Sequence, residues 1–131
     1  MTRSRSSARA AGSRFERQIA DYLAEVLDDD RIDKRVKYGQ KDRGDIAGLR
    51  IHGKRLVVEC KDVKHEYCTK CERLSGLKLP EWTREAQLEA GNDDALVGIV
   101  VHKRQKVGDP GQQWVSMTVD DLAALITGEH R

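Results

Sequence analysis

Apolar positions recur along the chain at spacings that predict helices and strands. Residues 13–27 carry one apolar stripe at intervals of three and four residues, which is typical of an amphipathic helix. Residues 80–90 follow the same pattern behind Pro80, which suits the first turn of a second helix. Thr118 and Asp121 have the spacing of a capping box, which predicts a last helix after residue 118.

Strand-like segments alternate with these helices. The pattern predicts five strands, at residues 31–38, 45–51, 55–61, 95–101 and 113–119. The second and third are close enough to pair as an antiparallel hairpin, and the fourth is apolar throughout, as expected of a strand buried on both faces. Residues 62–79 are hydrophilic and are expected to be irregular. The order predicts an α/β fold with a central mixed sheet of about four to five strands flanked by helices.

Charge divides the chain into an arm and a domain. Residues 1–12 are basic, lack an apolar pattern and are expected to form a flexible arm, while 13–131 form a single domain. The net charge is only +2, but basic residues concentrate in 1–14 and 31–43, which favours a polyanion such as nucleic acid as partner. Solvated surface charge is the alternative. No run is apolar enough for a secretory signal or a membrane span, so we expect no membrane partner and a cytoplasmic location.

Two carboxylates and a lysine come close together if the predicted hairpin forms. Glu59 and Lys61 share one face of their strand because side chains alternate. With Gly53 at the centre of the turn, Asp45 faces Lys61 on that same face, and the Asp45 and Glu59 Cβ atoms lie about 7 Å apart. A two-residue turn would instead place Asp45 on the opposite face, so the hypothesis depends on the register.

This arrangement suits hydrolysis of a phosphodiester. Two carboxylates can hold a hard cation such as Mg²⁺, which activates water and polarises phosphate. A neighbouring lysine can orient the water and stabilise developing negative charge. The alternative places Asp45 in a turn and Glu59 and Lys61 on a surface strand. A carboxylate inside the otherwise apolar segment 57–60 is costly unless it is paired or bound to metal.

The segments GDIAGL and VVECKD resemble the PD-(D/E)XK nuclease superfamily. The first acid of the motif corresponds to Asp45, the second to Glu59 and the lysine to Lys61, while Gly44 stands where a proline is usual. With FERQIADYL upstream, the order of motifs is similar to that of archaeal and phage Holliday junction resolvases. The resemblance implies a restriction-endonuclease-like core, a Mg²⁺- or Mn²⁺-dependent endodeoxyribonuclease and a homodimer that resolves four-way junctions by paired nicking.

The resemblance also implies further site residues. Glu16 corresponds to a helix glutamate of the active site, although Ser13 and Glu16 also have the spacing of a capping box. Gln87 matches a polar position that sometimes lines the site. The candidate contacts to DNA phosphates are Arg14, Arg35, Lys37, Lys41 and Arg43. The loop before Asp45 lacks the serine frequent in junction resolvases, and this departure weakens the junction assignment more than the nuclease assignment.

A second group of residues has spacing typical of a metal site. His65, Cys68 and Cys71 could supply three ligands of a structural Zn²⁺, with Cys60, His52 or a partner subunit supplying a fourth. The alternative is thiols without a metal, with Cys60 in the core. Trp82 and Trp114 are expected to be packing residues, and the alternative is that they form platforms on which bases stack.

Four functions therefore remain open. The first is cleavage of branched DNA, and the second is another PD-(D/E)XK activity of flap, restriction or exonuclease type. The third is a DNA-binding module without catalysis. The fourth is a zinc-stabilised protein-interaction domain without affinity for DNA.

Overall fold

The computed structural model describes residues 4–36, 39, 41–64, 66–68 and 73–131, with only the backbone at 66–68 and 73–75. The elements in chain order are α1 (Arg5–Val26), β1 (Asp33–Lys34), β2 (Ile46–Ala47), β3 (Arg50–Ile51), β4 (Lys54–Lys61), β5 (Glu66–Cys68), β6 (Arg73–Ser75), α2 (Leu79–Asn92), β7 (Val97–His102), a 3₁₀ turn (Pro110–Gln112), β8 (Trp114–Ser116) and α3 (Val119–Thr127). Six strands form a mixed sheet with the order β1-β2-β4-β7-β8, and β3 pairs with the start of β4. The expected α/β class and mixed sheet are confirmed.

The centre of the sheet is the parallel pair β4 and β7, which α2 connects. Strand β7 consists mainly of β-branched residues, and every residue of β7 is buried, as its continuous apolar run predicts. The neighbouring pairs β2–β4 and β7–β8 are antiparallel. The short pair β5–β6 corrects the expectation that residues 62–79 are irregular.

The two faces of the sheet carry different cores. On one face, Val58 and Cys60 of β4 pack in a cluster with Phe15 and Ile19 of α1 and with residues of α3. On the other face, α2 packs on β7 through a smaller cluster of Trp82, Ala86 and Val100. Alternation along β4 directs Glu59 and Lys61 toward α2. Trp82 and Cys60 are core residues, as expected.

The first helix begins earlier than the sequence predicts. The side chain of Ser4 accepts a hydrogen bond from the backbone N–H of Ser7 at 3.1 Å, and the helix continues unbroken through Ser13. Residues 5–12 are therefore helical and do not form the expected flexible arm, and Ala11 is buried. Because Ser13 lies inside α1, the capping-box role considered for Glu16 is also wrong.

The hairpin between β3 and β4 has a two-residue turn at His52 and Gly53, both with positive φ. The expectation that Gly53 is the central residue is therefore wrong. Arg50 pairs with Arg55, whereas Ile46 pairs with Val58. Between these two pairs lie residues 47–49 before the turn and residues 56–57 after it. The first segment therefore has one extra residue, which forms a bulge.

Gly48 makes this bulge possible. Its φ is +93°, and a Cβ there would clash with the backbone of Arg31. The extra residue restores the alternation that the two-residue turn would have inverted. Ile46 joins the same core as Val58, so Asp45 faces the α2 side together with Glu59.

Helix α2 approaches the sheet closely at Gly98. A Cβ at this position would collide with the carbonyl oxygen of Ala86. The close packing brings the helix residues on this face within reach of the polar side chains of β4. Among the described residues, no helix is both long and apolar enough to cross a lipid bilayer.

Candidate metal centre

Three carboxylates converge where the end of β4 meets α2. One oxygen each from Asp42, Glu59 and Glu89 lies within 4.8 Å of the others. Glu59 belongs to β4, Glu89 to α2 and Asp42 to the loop before β2. The two glutamates are buried, with side-chain carboxyl groups largely removed from water, and Asp42 is more exposed.

Buried carboxylates normally accept hydrogen bonds, but these two are poorly satisfied. No described residue donates a hydrogen bond to Oε2 of Glu59 or to either carboxylate oxygen of Glu89. Burial raises the pKa of Glu59, and the neighbouring Glu89 and Asp45 carboxylates raise it further. Burial also raises the pKa of Glu89. The pair therefore needs either retained protons or a cation to be stable.

Asp45 supports this cluster from the neighbouring strand. Its Oδ2 accepts the backbone N–H of Cys60 at 2.8 Å, and its backbone N–H donates to the carbonyl of Val58 at 2.9 Å. Its carboxylate is close enough to Glu59 to contribute to the raised pKa of that residue. The structure thus brings Asp45 and Glu59 together as the sequence predicts, but Asp42 and Glu89 provide the other convergent oxygens.

The loop that carries Asp42 is held against β4 and α2. Gly44 has a φ of +93°, and a Cβ there would lie 2.8 Å from Cγ1 of Val57. Proline cannot adopt this φ, so the backbone at this position favours glycine. Oδ1 of Asp42 accepts the Gly44 N–H, and Asn92 donates to the Asp42 carbonyl at 2.8 Å.

Lys61 lies at the edge of the acidic cluster. Its Nζ is 3.6 Å from Oε1 of Glu59 and 3.0 Å from Oε2 of Glu85 on α2. Burial lowers the pKa of this ammonium group, but the Glu85, Glu59 and Asp45 carboxylates outweigh burial and raise it. Lys61 is therefore a charged hydrogen-bond donor at neutral pH.

Glu16 lies on the α1 side of the sheet, close to Cys60. Its carboxylate forms an ion pair with Nζ of Lys34 at 3.4 Å. Burial raises the pKa of the Cys60 thiol, and the carboxylates of Asp45, Glu16 and Glu59 add to the effect. Glu16 is not one of the three convergent oxygen donors of the candidate centre.

The side chain of Gln87 contacts α3 and not the acidic cluster. Its amide donates to Oδ2 of Asp121 on α3 at 3.3 Å. The helix turns by about 200° between residues 87 and 89, so Gln87 and Glu89 lie on different faces. The α2 residues that face the acids are Glu85 and Glu89, and the sequence prediction selected the wrong polar residue of this helix.

The predicted phosphate contacts have different environments. Arg14, Lys41 and Arg43 are exposed, and the last two flank Asp42. Arg35 instead forms a partly buried ion pair with Asp93, with Nη2 and Oδ2 3.1 Å apart. This ion pair engages its guanidinium group within the fold, and the expected phosphate contact of Arg35 stays a prediction.

Part of the sequence prediction falls where the structure gives no description. Lys37, His65 and Cys71 lie outside the described residues, as does the side chain of Cys68. The zinc hypothesis therefore stays a prediction. Of the suggested fourth ligands, Cys60 is buried in the core and His52 contacts the carbonyl of Leu125 at 2.8 Å.

The sequence contains a signal for Glu89, which was not among the predicted site residues. Trp82, Ala86 and Ala90 form the buried stripe of α2, and Glu89 lies on the same stripe. A glutamate on the apolar face of a helix is costly without a partner. Asp42 carries no comparable signal because only the fold of its loop brings it near α2.

Comparison with protein-family models, curated proteins and solved structures finds no match for this chain.

Proposed function

We propose that this protein is a Mg²⁺- or Mn²⁺-dependent endodeoxyribonuclease of the PD-(D/E)XK type. The observation that carries the proposal is the convergence of Asp42, Glu59 and Glu89 beside a charged lysine. Asp45, Glu59 and Lys61 also match the superfamily motif. A cluster of acids alone is common on protein surfaces, but two of these carboxylates are buried, and among the described residues Oε2 of Glu59 and both carboxylate oxygens of Glu89 have no hydrogen-bond partner.

The donor set fits a hard divalent cation. Carboxylate oxygens are the ligands that Mg²⁺ and Mn²⁺ prefer, and three converging acids supply charge that one divalent ion would largely neutralise. Asp42, Glu59 and Glu89 would hold the ion, and Asp45 would position Glu59 from the adjacent strand. When bound, such an ion polarises a phosphate and lowers the pKa of water.

The residues around the centre have separate tasks. Lys61 donates hydrogen bonds from a charged ammonium group and stabilises negative charge that develops on the phosphate. Glu85 holds the Lys61 ammonium group at 3.0 Å and limits its freedom to move. Lys41 and Arg43 lie beside Asp42 and contact the backbone phosphates of the DNA, which gives affinity without reading the sequence.

The proposed substrate is branched DNA, and above all the four-way junction. Paired nicks on opposing strands require two sites, so the proposal includes a homodimer. Strand β7 lies between β4 and β8 and is buried, so it is not available as an interface between subunits. Leu88 on the outer face of α2 remains available because 68% of its surface is exposed.

Incubation with a synthetic four-way junction and a matched linear duplex, with and without Mg²⁺, tests the proposal. We expect Mg²⁺-dependent paired nicks in the junction and much slower cleavage of the duplex. Equal cleavage of both DNAs would contradict the junction preference but support the nuclease. Absence of cleavage with both Mg²⁺ and Mn²⁺ would contradict the nuclease itself.

A further inference from the structure

Strand pairing places Trp114 in one row with Lys61. Lys61 pairs with His102 of β7, and His102 pairs with Trp114 of β8. Residues that pair directly in a sheet share a face, so all three are on the side that carries α2. Two strand spacings separate Lys61 from Trp114, a distance of about 10 Å.

The two tryptophans have different environments. Trp82 is buried and its ring lies 5.8 Å from that of His102. Trp114 is 48% exposed, so the expectation that it is a packing residue accounts for only half of its surface. It borders a depression of about 260 Å³ whose other lining residues are Leu77, His102, Val115 and Ser116.

A cation is already stacked on the indole of Trp114. Cζ of Arg104 lies 4.5 Å from the centroid of the ring. The backbone N–H of Arg104 donates to Oε1 of Gln113 at 2.6 Å, which fixes the start of the loop beside the ring. Residues 103–109 contain three basic residues and one acid, so the loop presents positive charge next to an exposed aromatic face.

We infer that Trp114 and Arg104 form a stacking platform for an unpaired nucleotide of the DNA strand whose phosphate lies at Lys61. An aromatic face with adjacent positive charge is the usual means of binding single-stranded nucleic acid. In a continuous duplex both faces of every base are covered, so the platform selects DNA with unpaired nucleotides close to the point of cleavage.

This inference rests on the proposed function because it places the DNA strand relative to Lys61. Its test does not depend on cleavage. Binding of an oligothymidine and of a duplex with covalently closed ends is measured in EDTA, by tryptophan emission and by anisotropy of labelled DNA. We compare the wild type with Trp114→Ala and Trp114→Phe, in both of which Trp82 is the remaining tryptophan.

Oligothymidine should quench the emission of the wild type and leave that of Trp114→Phe unchanged. Trp114→Ala should bind oligothymidine about tenfold or more weakly, and Trp114→Phe should keep most of the affinity because it retains an aromatic face. The closed duplex should bind all three proteins equally.

The inference is overturned if saturating oligothymidine leaves the wild-type emission unchanged, a result that needs no variant to fold. It is also overturned if Trp114→Ala binds oligothymidine as tightly as the wild type, or loses affinity for the closed duplex to the same extent. If these binding results hold but no DNA is cleaved with Mg²⁺, the nuclease proposal fails and the platform remains.

Discussion

The variant Glu59→Gln should lose metal-dependent cleavage by about a thousandfold or more. Glu59 belongs to the acidic cluster and also interacts with both Asp45 and Lys61. The amide keeps the shape of the side chain but removes the negative charge that holds a cation. A metal ion contributes several kcal/mol to transition-state stabilisation, and each 1.36 kcal/mol corresponds to a factor of ten in rate. Rates are measured on the four-way junction at saturating Mg²⁺.

Glu81→Gln provides the matched control. Glu81 lies on the same helix as Glu89 but is exposed in the first turn, so the same chemical change there should leave cleavage within about twofold of the wild type. Glu59→Gln should still bind the junction, because the basic residues Arg14, Lys41 and Arg43 are unchanged. Wild-type rates in Glu59→Gln would contradict the assigned role.

The metal-free protein should become less stable as the pH rises from 5 to 8. The folded-state pKa values of Glu59 and Glu89 are raised, so the unfolded chain ionises these groups near pH 4.5 while the folded chain retains their protons. A carboxyl group whose pKa is higher in the folded state than in the unfolded state makes its full contribution to stability below the pKa of the unfolded state. This contribution is lost as the pH rises through the pKa of the folded state. The folded-state pKa of Glu89 is about 7, so its contribution is lost between pH 5 and 8.

Urea unfolding in EDTA measures this effect. In Glu89→Gln we expect the free energy of unfolding at pH 8 to exceed that of the wild type by about 1–2 kcal/mol, and the difference to shrink at pH 5. Mg²⁺ should stabilise the wild type at pH 8 and have less effect on the variant. A wild-type protein that gains stability from pH 5 to 8 would contradict the account.

His130 needs its own control because it acts in the same direction. A hydrogen bond to Asp121 at 2.8 Å raises the pKa of its imidazole, so its contribution is also lost as pH rises. His130→Gln removes this contribution and should leave the pH dependence that Glu89 causes. A variant that lost the whole pH dependence would assign it to His130 instead.

The elements that could be predicted are those that a local pattern specifies. The sequence predicts β7 from its continuous apolar run. It also predicts the start of α3 from Thr118, whose hydroxyl accepts a hydrogen bond from the Asp121 N–H at 3.1 Å. It does not predict the start of α1, because residues 5–12 have no apolar stripe. Ala11 is buried only in the folded protein, and this tertiary packing stabilises the first turns of α1.

The register of the hairpin could not be predicted, and the candidate site depends on it. The two-residue turn by itself would have turned Asp45 away from Glu59. The bulge at Gly48 corrects this, but the need for glycine arises from the backbone of Arg31, which approaches from a distant part of the sequence. A tertiary contact of this kind leaves no local pattern.

The proposed metal ligands were only partly predictable for a similar reason. The motif identifies Glu59 on β4 and Asp45 immediately before β2, but only Glu59 is one of the three convergent oxygen donors. Glu89 reaches the site only because α2 packs so closely on Gly98, and Asp42 reaches it because Asn92 holds its loop. Gln87 was predicted as a site residue from the motif alone. The packing of α2 on the sheet decides which face of the helix lies next to the carboxylates, and this face carries Glu85 and Glu89.

Titration of the wild-type protein with Mn²⁺, with free ion followed by electron paramagnetic resonance, tests the central claim most directly. The account predicts one tightly held Mn²⁺ per chain, loss of that binding in Glu59→Gln and Glu89→Gln, and normal binding in Glu81→Gln. A free Mn²⁺ signal equal to that in buffer alone, or binding that survives in both cluster variants, would contradict it.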